Sequence, residues 1–142
     1  PADRAAGTWR GQGRVLVVDD EATVRTAAAL MLRRLGFEAD VAVDGQEAVE
    51  LFARDPQRYD LVLMDLTMPR LDGEQAFTEL RRLRSSVRVV LMSGFNQQEA
   101  VARFTGKGLA SFLQKPFPLE GLTSVLQRVL DPEWSPPADG QG

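Results

Sequence analysis

The sequence predicts a doubly wound α/β domain, in which helices cover both faces of a five-stranded parallel sheet. Short apolar runs alternate along the chain with segments of helical periodicity, and four of these runs end in a polar or charged residue. Short continuous apolar runs between helical patterns are typical of parallel strands that are buried on both faces. Right-handed crossovers restrict the strand order, and 2-1-3-4-5 is the order we expect for a domain of this length.

The first half of the predicted domain holds two strands and two helices. A strand over 14–19 contains an unbroken apolar run, and a helix over 21–35 ends at Gly36, a residue that favours helix termination. The face of this helix predicted to be buried consists of Val24, Ala27, Ala28, Met31 and Leu35. A second strand over 37–42 leads through a turn at Asp44 into a helix that Pro56 closes.

The second half repeats the alternation three times. Strands are predicted over 60–65, 87–92 and 110–114. A helix with Ala76, Phe77, Leu80 and Leu83 on its inner face follows the first of them, a helix over 96–105 follows the second, and a helix over 118–130 follows the third. We therefore expect a linker or tail over 1–13, one domain over 14–130 and a flexible Pro- and Gly-rich tail over 131–142.

The composition indicates one globular domain and excludes several kinds of chemistry. The chain has 142 residues, of which 44% are hydrophobic and 26% charged, and this suits a single core. It has no Cys, which excludes thiol chemistry and agrees with a cytoplasmic location, and no His, which leaves the oxygen ligands that Mg²⁺, Mn²⁺ and Ca²⁺ prefer. The net charge of −3 argues against nucleic acid as a partner of this segment, and no apolar run is long enough to span a membrane. The first residue is Pro, so we expect a piece of a longer protein.

Three carboxylates, a hydroxyl and an ammonium are predicted to converge at one edge of the sheet. Asp19 ends the first strand and Asp20 follows it, Asp65 ends the third strand, Ser93 follows the fourth and Lys115 follows the fifth. Open parallel sheets bind ligands just outside the carboxyl ends of their strands, at the point where the strand order reverses. Two carboxylates about 4 Å apart repel by about 4 kcal/mol at an effective dielectric constant of about 20. The carboxylates therefore favour a bound cation, and Mg²⁺ suits a few carboxylates with several waters.

Each of these residues also has an ordinary structural interpretation. Asp20 would cap the first helix, Asp65 would start a turn, Ser93 would form a Ser-Gly turn and Lys115 would be a solvated side chain. Their joint placement at strand ends favours a phosphoryl site, in which Asp65 attacks phosphorus and forms an acyl phosphate. Lys115 suits a point-charge contact to phosphate, and we expect a cis peptide bond between Lys115 and Pro116.

Four motifs resemble the receiver domain of two-component response regulators. They are VLVVDDE at 15–21, LMDLTMP at 63–69, LMSG at 91–94 and FLQKPF at 112–117, and the resemblance covers about 14–130. The resemblance implies a flavodoxin-like receiver fold with five helices and a phosphorelay function. Asp65 would accept a phosphoryl group from a phosphohistidine on a histidine kinase or a histidine phosphotransfer domain. Such a domain is not a conventional enzyme, although it catalyses its own phosphorylation and slow dephosphorylation.

The resemblance also implies a set of metal ligands. Asp20 and Asp65 would bind Mg²⁺ directly, together with the backbone carbonyl of Thr67. Asp19 would act on the metal mostly through water. A phosphatase of the haloacid dehalogenase type also uses an Asp nucleophile with Mg²⁺, but it needs a second Asp two residues later, where this chain has Thr67.

The switching residues follow from the same resemblance. Ser93 and Lys115 would contact the phosphoryl oxygens, and Phe112 would be the aromatic switch that turns inward when Ser93 moves. We also hypothesise that Thr67 and Phe95 tune the lifetime of the acyl phosphate by screening it from water. A non-catalytic interaction domain with the same fold would be favoured if Asp65 or Lys115 were missing, and both are present.

Two further segments are similar to receivers fused to hybrid sensor histidine kinases. They are the Gly-containing residues 9–13 and the residues 93–109. This likeness implies that the chain is the C-terminal receiver of such a kinase. The first helix would dock the helical bundle of the phosphodonor, and the fourth helix, fifth strand and fifth helix would form an output surface with a possible homodimer on activation. A nucleotide site is disfavoured, because the glycines at 11–13 precede the first strand instead of following it.

Overall fold

A computed structural model describes residues 9–66, 68, 71–94, 104 and 108–131 of the chain. The strands are β1 (Arg14–Val18), β2 (Glu38–Ala42), β3 (Leu61–Asp65), β4 (Val89–Ser93) and β5 (Ser111–Gln114). The helices among these residues are α1 (Ala22–Arg34), α2 (Gly45–Arg54), α3 (Gly73–Leu83) and α4 (Leu119–Val129). All strand pairs are parallel, in the order β2-β1-β3-β4-β5, which confirms the predicted fold class and strand order. Of the helix predicted over 96–105, only Phe104 is among the described residues, and it is buried.

The strand order reverses at β1, which pairs with β2 on one side and β3 on the other. In the pairing of β1 with β3, Val18 lies opposite Met64. Asp19 comes directly after Val18, and Asp65 comes directly after Met64. Both residues therefore reach the carboxyl edge of the sheet side by side. This is the edge where doubly wound sheets hold their ligands.

Each face of the sheet has its own apolar core. Along the strands, alternate residues point to opposite faces, and the three central strands, β1, β3 and β4, are almost wholly buried. The core under α2 and α3 includes Leu16, Val18, Val62, Met64, Phe52 and Leu80, and the core under α1 and α4 includes Val15, Val17, Leu61, Leu63, Leu32 and Leu126. Burial on both faces explains why the strands have continuous apolar sequences.

The buried face of α1 differs from the prediction. Ala28 and Leu35 are buried as expected, but Ala29 and Leu32 complete the face, whereas Ala27 is exposed. Val24 and Met31 are only partly buried against this core, and together with Ala27 they border a groove beside Phe117. The prediction for this face was therefore partly wrong.

Strand β4 begins two residues later than predicted. Val87 is buried, but its amide donates to the carbonyl of Arg84, so a turn keeps it out of the strand ladder. The other strands and helices whose bounds were predicted differ from the prediction by at most about one residue at each end, which is the ordinary uncertainty of such boundaries.

Residues 9–13, which fall within the predicted linker, lie against the C-terminal end of α1. The rings of Trp9 and Phe37 are 6.0 Å apart, and the amide of Gly11 donates to the carbonyl of Leu35 over 2.7 Å. A side chain at position 11 would overlap the ring of Phe37, so glycine permits this close approach. No helix formed by the described residues is long and apolar enough to cross a membrane.

Candidate functional site

Lys115 joins two buried carboxylates at the carboxyl edge of the sheet. Its Nζ lies 3.0 Å from Asp65 Oδ1 and 3.3 Å from Asp19 Oδ2. Asp19 is completely buried, and only 5% of Asp65 is exposed. Buried carboxylates need a charged partner, and this ammonium serves both of them. The sequence placed Lys115 near phosphoryl oxygens but did not reveal this double contact.

The turn after β5 brings the ammonium to this position. The backbone amide of Lys115 donates to the carbonyl of Ser93 over 2.7 Å, which ties the end of β5 to the end of β4. The peptide bond between Lys115 and Pro116 is cis, as predicted. Ser93 is itself the last residue of β4 and is buried. The structure thus brings the predicted hydroxyl and ammonium to adjacent strand ends.

The loop between β1 and α1 is held by hydrogen bonds around Asp19. Its amide donates to the carbonyl of Ala42 over 3.2 Å, and its Oδ1 accepts the amide of Glu21 over 2.8 Å. Its carbonyl accepts Arg25 Nη1 over 2.8 Å. Arg25 was not predicted as a site residue, because a contact from α1 back to the loop depends on the local path of the chain. These bonds fix the Asp19 carboxylate between β1 and Lys115.

Asp19, Asp20 and Asp65 could hold a cation. Each offers one carboxylate oxygen, and these atoms all lie within 4.8 Å of one another. Asp20 is exposed, which leaves an open side for waters, as Mg²⁺ requires. The N-cap of α1 is Glu21 and not Asp20, so the alternative interpretation of Asp20 as the helix cap is wrong. This donor set fits Mg²⁺.

Burial dominates the ionisation of Asp65. It raises the pKa of this carboxyl to about 6, and the charges of Asp19 and Asp20 act in the same direction, although the hydrogen bond from Lys115 opposes them. Burial alone would lower the pKa of the Lys115 ammonium, but the hydrogen bond to Asp65 and the charges of Asp65 and Asp19 outweigh it and raise that pKa. The positive charge of Lys115 alone therefore does not neutralise the carboxylates, and a bound cation would supply the missing charge.

The charge on Asp20 is expected to destabilise the domain when no metal is bound. In a chelator, Asp20→Asn should raise the melting temperature by about 2–4 °C, because it relieves repulsion worth up to about 1 kcal/mol at an exposed position. Mg²⁺ should then stabilise the variant much less than the wild type. Thermal melts followed by circular dichroism, with Glu50→Gln as the control, test this. Equal stabilisation of wild type and variant by Mg²⁺ would place the metal elsewhere.

The predicted switch residue Phe112 lies on β5 with its side chain partly in solvent. It pairs with Leu91 of β4, two residues before Ser93, and 38% of its surface is exposed. Phe112 and Ser93 therefore lie on neighbouring strands. Thr67 and Phe95, the predicted metal ligand and lifetime residues, lie outside the described residues, and their roles stay predictions.

An apolar groove opens next to the site, between α1 and the turn after β5. Its volume is about 430 Å³. The side chains of Val24, Ala27, Ala28, Met31, Pro116 and Phe117 line it, with Glu21 and Lys115 at its polar end. A partner seated in this groove would therefore lie beside the ammonium that contacts Asp65.

Known proteins are similar to this chain in sequence and in fold. The family described as the response regulator receiver domain matches residues 15–127. The transcriptional regulatory protein PdtaR of Mycobacterium tuberculosis is 40% identical over 115 residues, which cover 80% of this chain and 55% of that protein. The chemotaxis protein CheY of Bacillus subtilis is 33% identical over 119 residues, which cover 83% of this chain and 98% of that protein.

A solved structure extends the likeness to a kinase-associated domain. It is the receiver domain of a sensor histidine kinase from Pseudomonas aeruginosa PAO1, with a magnesium ion coordinated in its active-site cleft. The TM-score is 0.75 at 31% identity, and the match covers 84% of this chain and 98% of that one. The chain spans between 13% and 55% of the length of six curated relatives that it matches. By its sequence and its fold, the chain belongs to the response regulator receiver domains of two-component systems.

Proposed function

We propose that the domain accepts a phosphoryl group on Asp65 from a phosphohistidine of a partner protein. The observation that carries this proposal is the position of Lys115 Nζ, which is 3.0 Å from Asp65 and 3.3 Å from Asp19 at the open edge of the sheet. An ammonium held beside a nearly buried carboxylate is placed to neutralise charge on a phosphoryl group that the carboxylate attacks.

The residues present account for the main requirements of this reaction. Phosphoryl transfer proceeds through a loose transition state, so positioning and charge neutralisation provide most of the catalysis. Asp65 is held at the end of β3 and acts as the nucleophile, while Lys115 neutralises the phosphoryl oxygens. Asp20, Asp65 and the Thr67 carbonyl would hold Mg²⁺, with Asp19 acting through water, and the metal supplies further positive charge there. Ser93 donates a hydrogen bond to the transferred group.

Phosphorylation then biases the domain between two conformations. The new phosphoryl oxygens draw Ser93 inward, and Phe112 follows from its partly exposed position. The affected surface comprises β5, α4 and the predicted helix over 96–105, and it serves for output or for dimer formation on activation. Thr67 and Phe95 set how long the acyl phosphate lasts.

The phosphodonor is a histidine kinase or a histidine phosphotransfer domain, which seats a helix against α1. The apolar groove lined by Val24, Met31 and Phe117 supports this docking position, because a helical bundle can place apolar side chains in it. The chain itself is the C-terminal receiver of a hybrid sensor histidine kinase. Its similarity to the receiver of a sensor histidine kinase supports this assignment.

Phosphate incorporation is the direct test of the proposal. The wild-type chain with Mg²⁺ and acetyl phosphate should gain the mass of one phosphoryl group, whereas Asp65→Ala should gain none. Chelation of Mg²⁺ should also prevent the gain. Asp55→Ala, which removes an exposed carboxyl at the end of α2, serves as the control and should behave as the wild type. A wild type without any mass gain would favour a non-catalytic interaction domain.

A further inference from the structure

A fourth carboxylate lies beside the ammonium of the site. Glu21 Oε1 is 3.8 Å from Lys115 Nζ, and 63% of the Glu21 side chain is exposed. The same ammonium already contacts Asp65 and Asp19 at shorter distances. Glu21 is not part of the three-carboxylate group that could hold a cation. Its side chain therefore lies at the rim of the site and not among the candidate metal ligands.

The Glu21 side chain has no evident role in stabilising the fold. Glu21 occupies the N-cap position of α1, but its side chain makes no capping hydrogen bond. The local structure uses only its backbone, since its amide donates to Asp19 Oδ1 and its carbonyl accepts the amide of Arg25. Replacing the carboxylate by an amide should therefore leave the loop and the helix unchanged.

The position of Glu21 gives its charge a functional consequence. Glu21 lines the polar end of the apolar groove, where Lys115 also lies. A phosphodonor that approaches Asp65 along this groove passes both side chains. The acidic rim attracts a donor that carries positive charge beside its phosphoryl group, and it repels a purely anionic donor.

We propose that Glu21 is a specificity-determining residue, which selects phosphoimidazole donors over acyl phosphates. This inference rests on the proposed function of Asp65. In a phosphoimidazole protonated on its second ring nitrogen, the Glu21 carboxylate accepts a hydrogen bond from that N–H. An acyl phosphate offers no such donor group, so for it Glu21 contributes only repulsion.

The transfer step balances without any further proton donor. The P–N bond breaks and its electron pair returns to the ring nitrogen, while an oxygen of the ionised Asp65 forms the new P–O bond. The proton on the second nitrogen stays there, so the imidazole leaves as a neutral molecule. In the loose transition state the ring still carries part of the positive charge, and Glu21 stabilises that part.

The test compares two small donors on the same protein. We would measure kcat/KM for phosphorylation by phosphoimidazole and by acetyl phosphate at low salt, for the wild type and for Glu21→Gln. The ratio of the two values should fall by about threefold to fivefold in the variant, which is the range expected for an exposed charge pair. The change should shrink at high salt, because the pair is exposed to solvent.

Glu120→Gln is the matched control. Glu120 is also exposed and lies in the first turn of a helix, α4, at the same edge of the sheet. Its substitution removes the same charge and should leave the donor ratio unchanged. Melting temperature and magnesium affinity should match the wild type in both variants, which verifies the fold and the metal site independently of activity.

Several results would overturn the proposal for Glu21. Equal changes for both donors in Glu21→Gln would show that its charge does not distinguish them. A similar change of the ratio in Glu120→Gln would assign the effect to net charge alone. Failure of the wild type to react with either donor would instead contradict the function proposed for Asp65, and the inference about Glu21 would fall with it.

Discussion

Replacing Lys115 by alanine is expected to slow phosphorylation of Asp65 by about 100- to 1000-fold. This is the usual loss when one preorganised group that stabilises transition-state charge is removed. The ammonium lies 3.0 Å from Asp65 Oδ1, so no other described cation replaces it at that oxygen. The initial rate of mass gain with acetyl phosphate and Mg²⁺ measures the effect.

Two further variants distinguish catalysis from general charge effects. Arg82→Ala removes a cation that forms an exposed ion pair with Glu79 on α3, and it should leave the rate unchanged. Lys115→Arg keeps the charge but not the compact ammonium, and it should recover only part of the rate. A Lys115→Ala protein that reacts as fast as the wild type would remove Lys115 from the mechanism.

Asp65→Asn is expected to stabilise the metal-free protein at neutral pH by about 3 kcal/mol. Burial raises the pKa of Asp65 in the folded state to about 6 from the ordinary 3.8. A difference of roughly two pKa units corresponds to about 3 kcal/mol. The fold therefore favours the protonated carboxyl, and ionisation of Asp65 lowers the free energy of unfolding. An asparagine side chain does not ionise, so the variant avoids this loss.

The stabilisation by Asp65→Asn should depend on pH, because the carboxyl of Asp65 ionises at a lower pH in the unfolded chain than in the folded one. Below about pH 3 the carboxyl is protonated in both the folded and the unfolded state, so it imposes no cost. As the pH rises towards 6, the unfolded chain ionises first and the free energy of unfolding of the wild type falls relative to Asp65→Asn. The difference in stability should reach its full size above about pH 7. It should narrow when Mg²⁺ is added, because the metal binds the ionised wild type.

Urea titrations in chelator between pH 4 and pH 8 provide the measurement. Glu50→Gln, an exposed substitution on α2, should follow the wild type across the whole range. A constant difference between Asp65→Asn and the wild type at all pH values would show that burial does not disfavour the ionised carboxyl.

The sequence predicted the sheet and the placement of the main site residues. Continuous apolar runs reveal strands buried on both faces, and the residue that ends each run marks the carboxyl edge where Asp19, Asp65, Ser93 and Lys115 meet. These features depend on the chain's local pattern and on a small set of allowed strand orders. They can therefore be predicted from the sequence alone.

Other features depend on three-dimensional packing and could not be read from the pattern. Residues 27–32 are all apolar, so their periodicity does not fix which side of α1 faces the sheet, and Ala27 was wrongly placed inside. The bridge of Lys115 between Asp19 and Asp65 joins residues distant in sequence. The position of Glu21 beside Lys115 depends on the direction of one exposed side chain.

The most direct test of the account is to locate the phosphoryl group. After reaction with acetyl phosphate and Mg²⁺, borohydride reduces an acyl phosphate to an alcohol and thereby marks the modified residue for peptide mass spectrometry. We predict that the residue at position 65 alone is converted, to homoserine, and that chelation of Mg²⁺ prevents the conversion. Conversion at another carboxylate, or undiminished conversion in the chelator, would contradict the assignment of Asp65 as the metal-dependent phosphoacceptor.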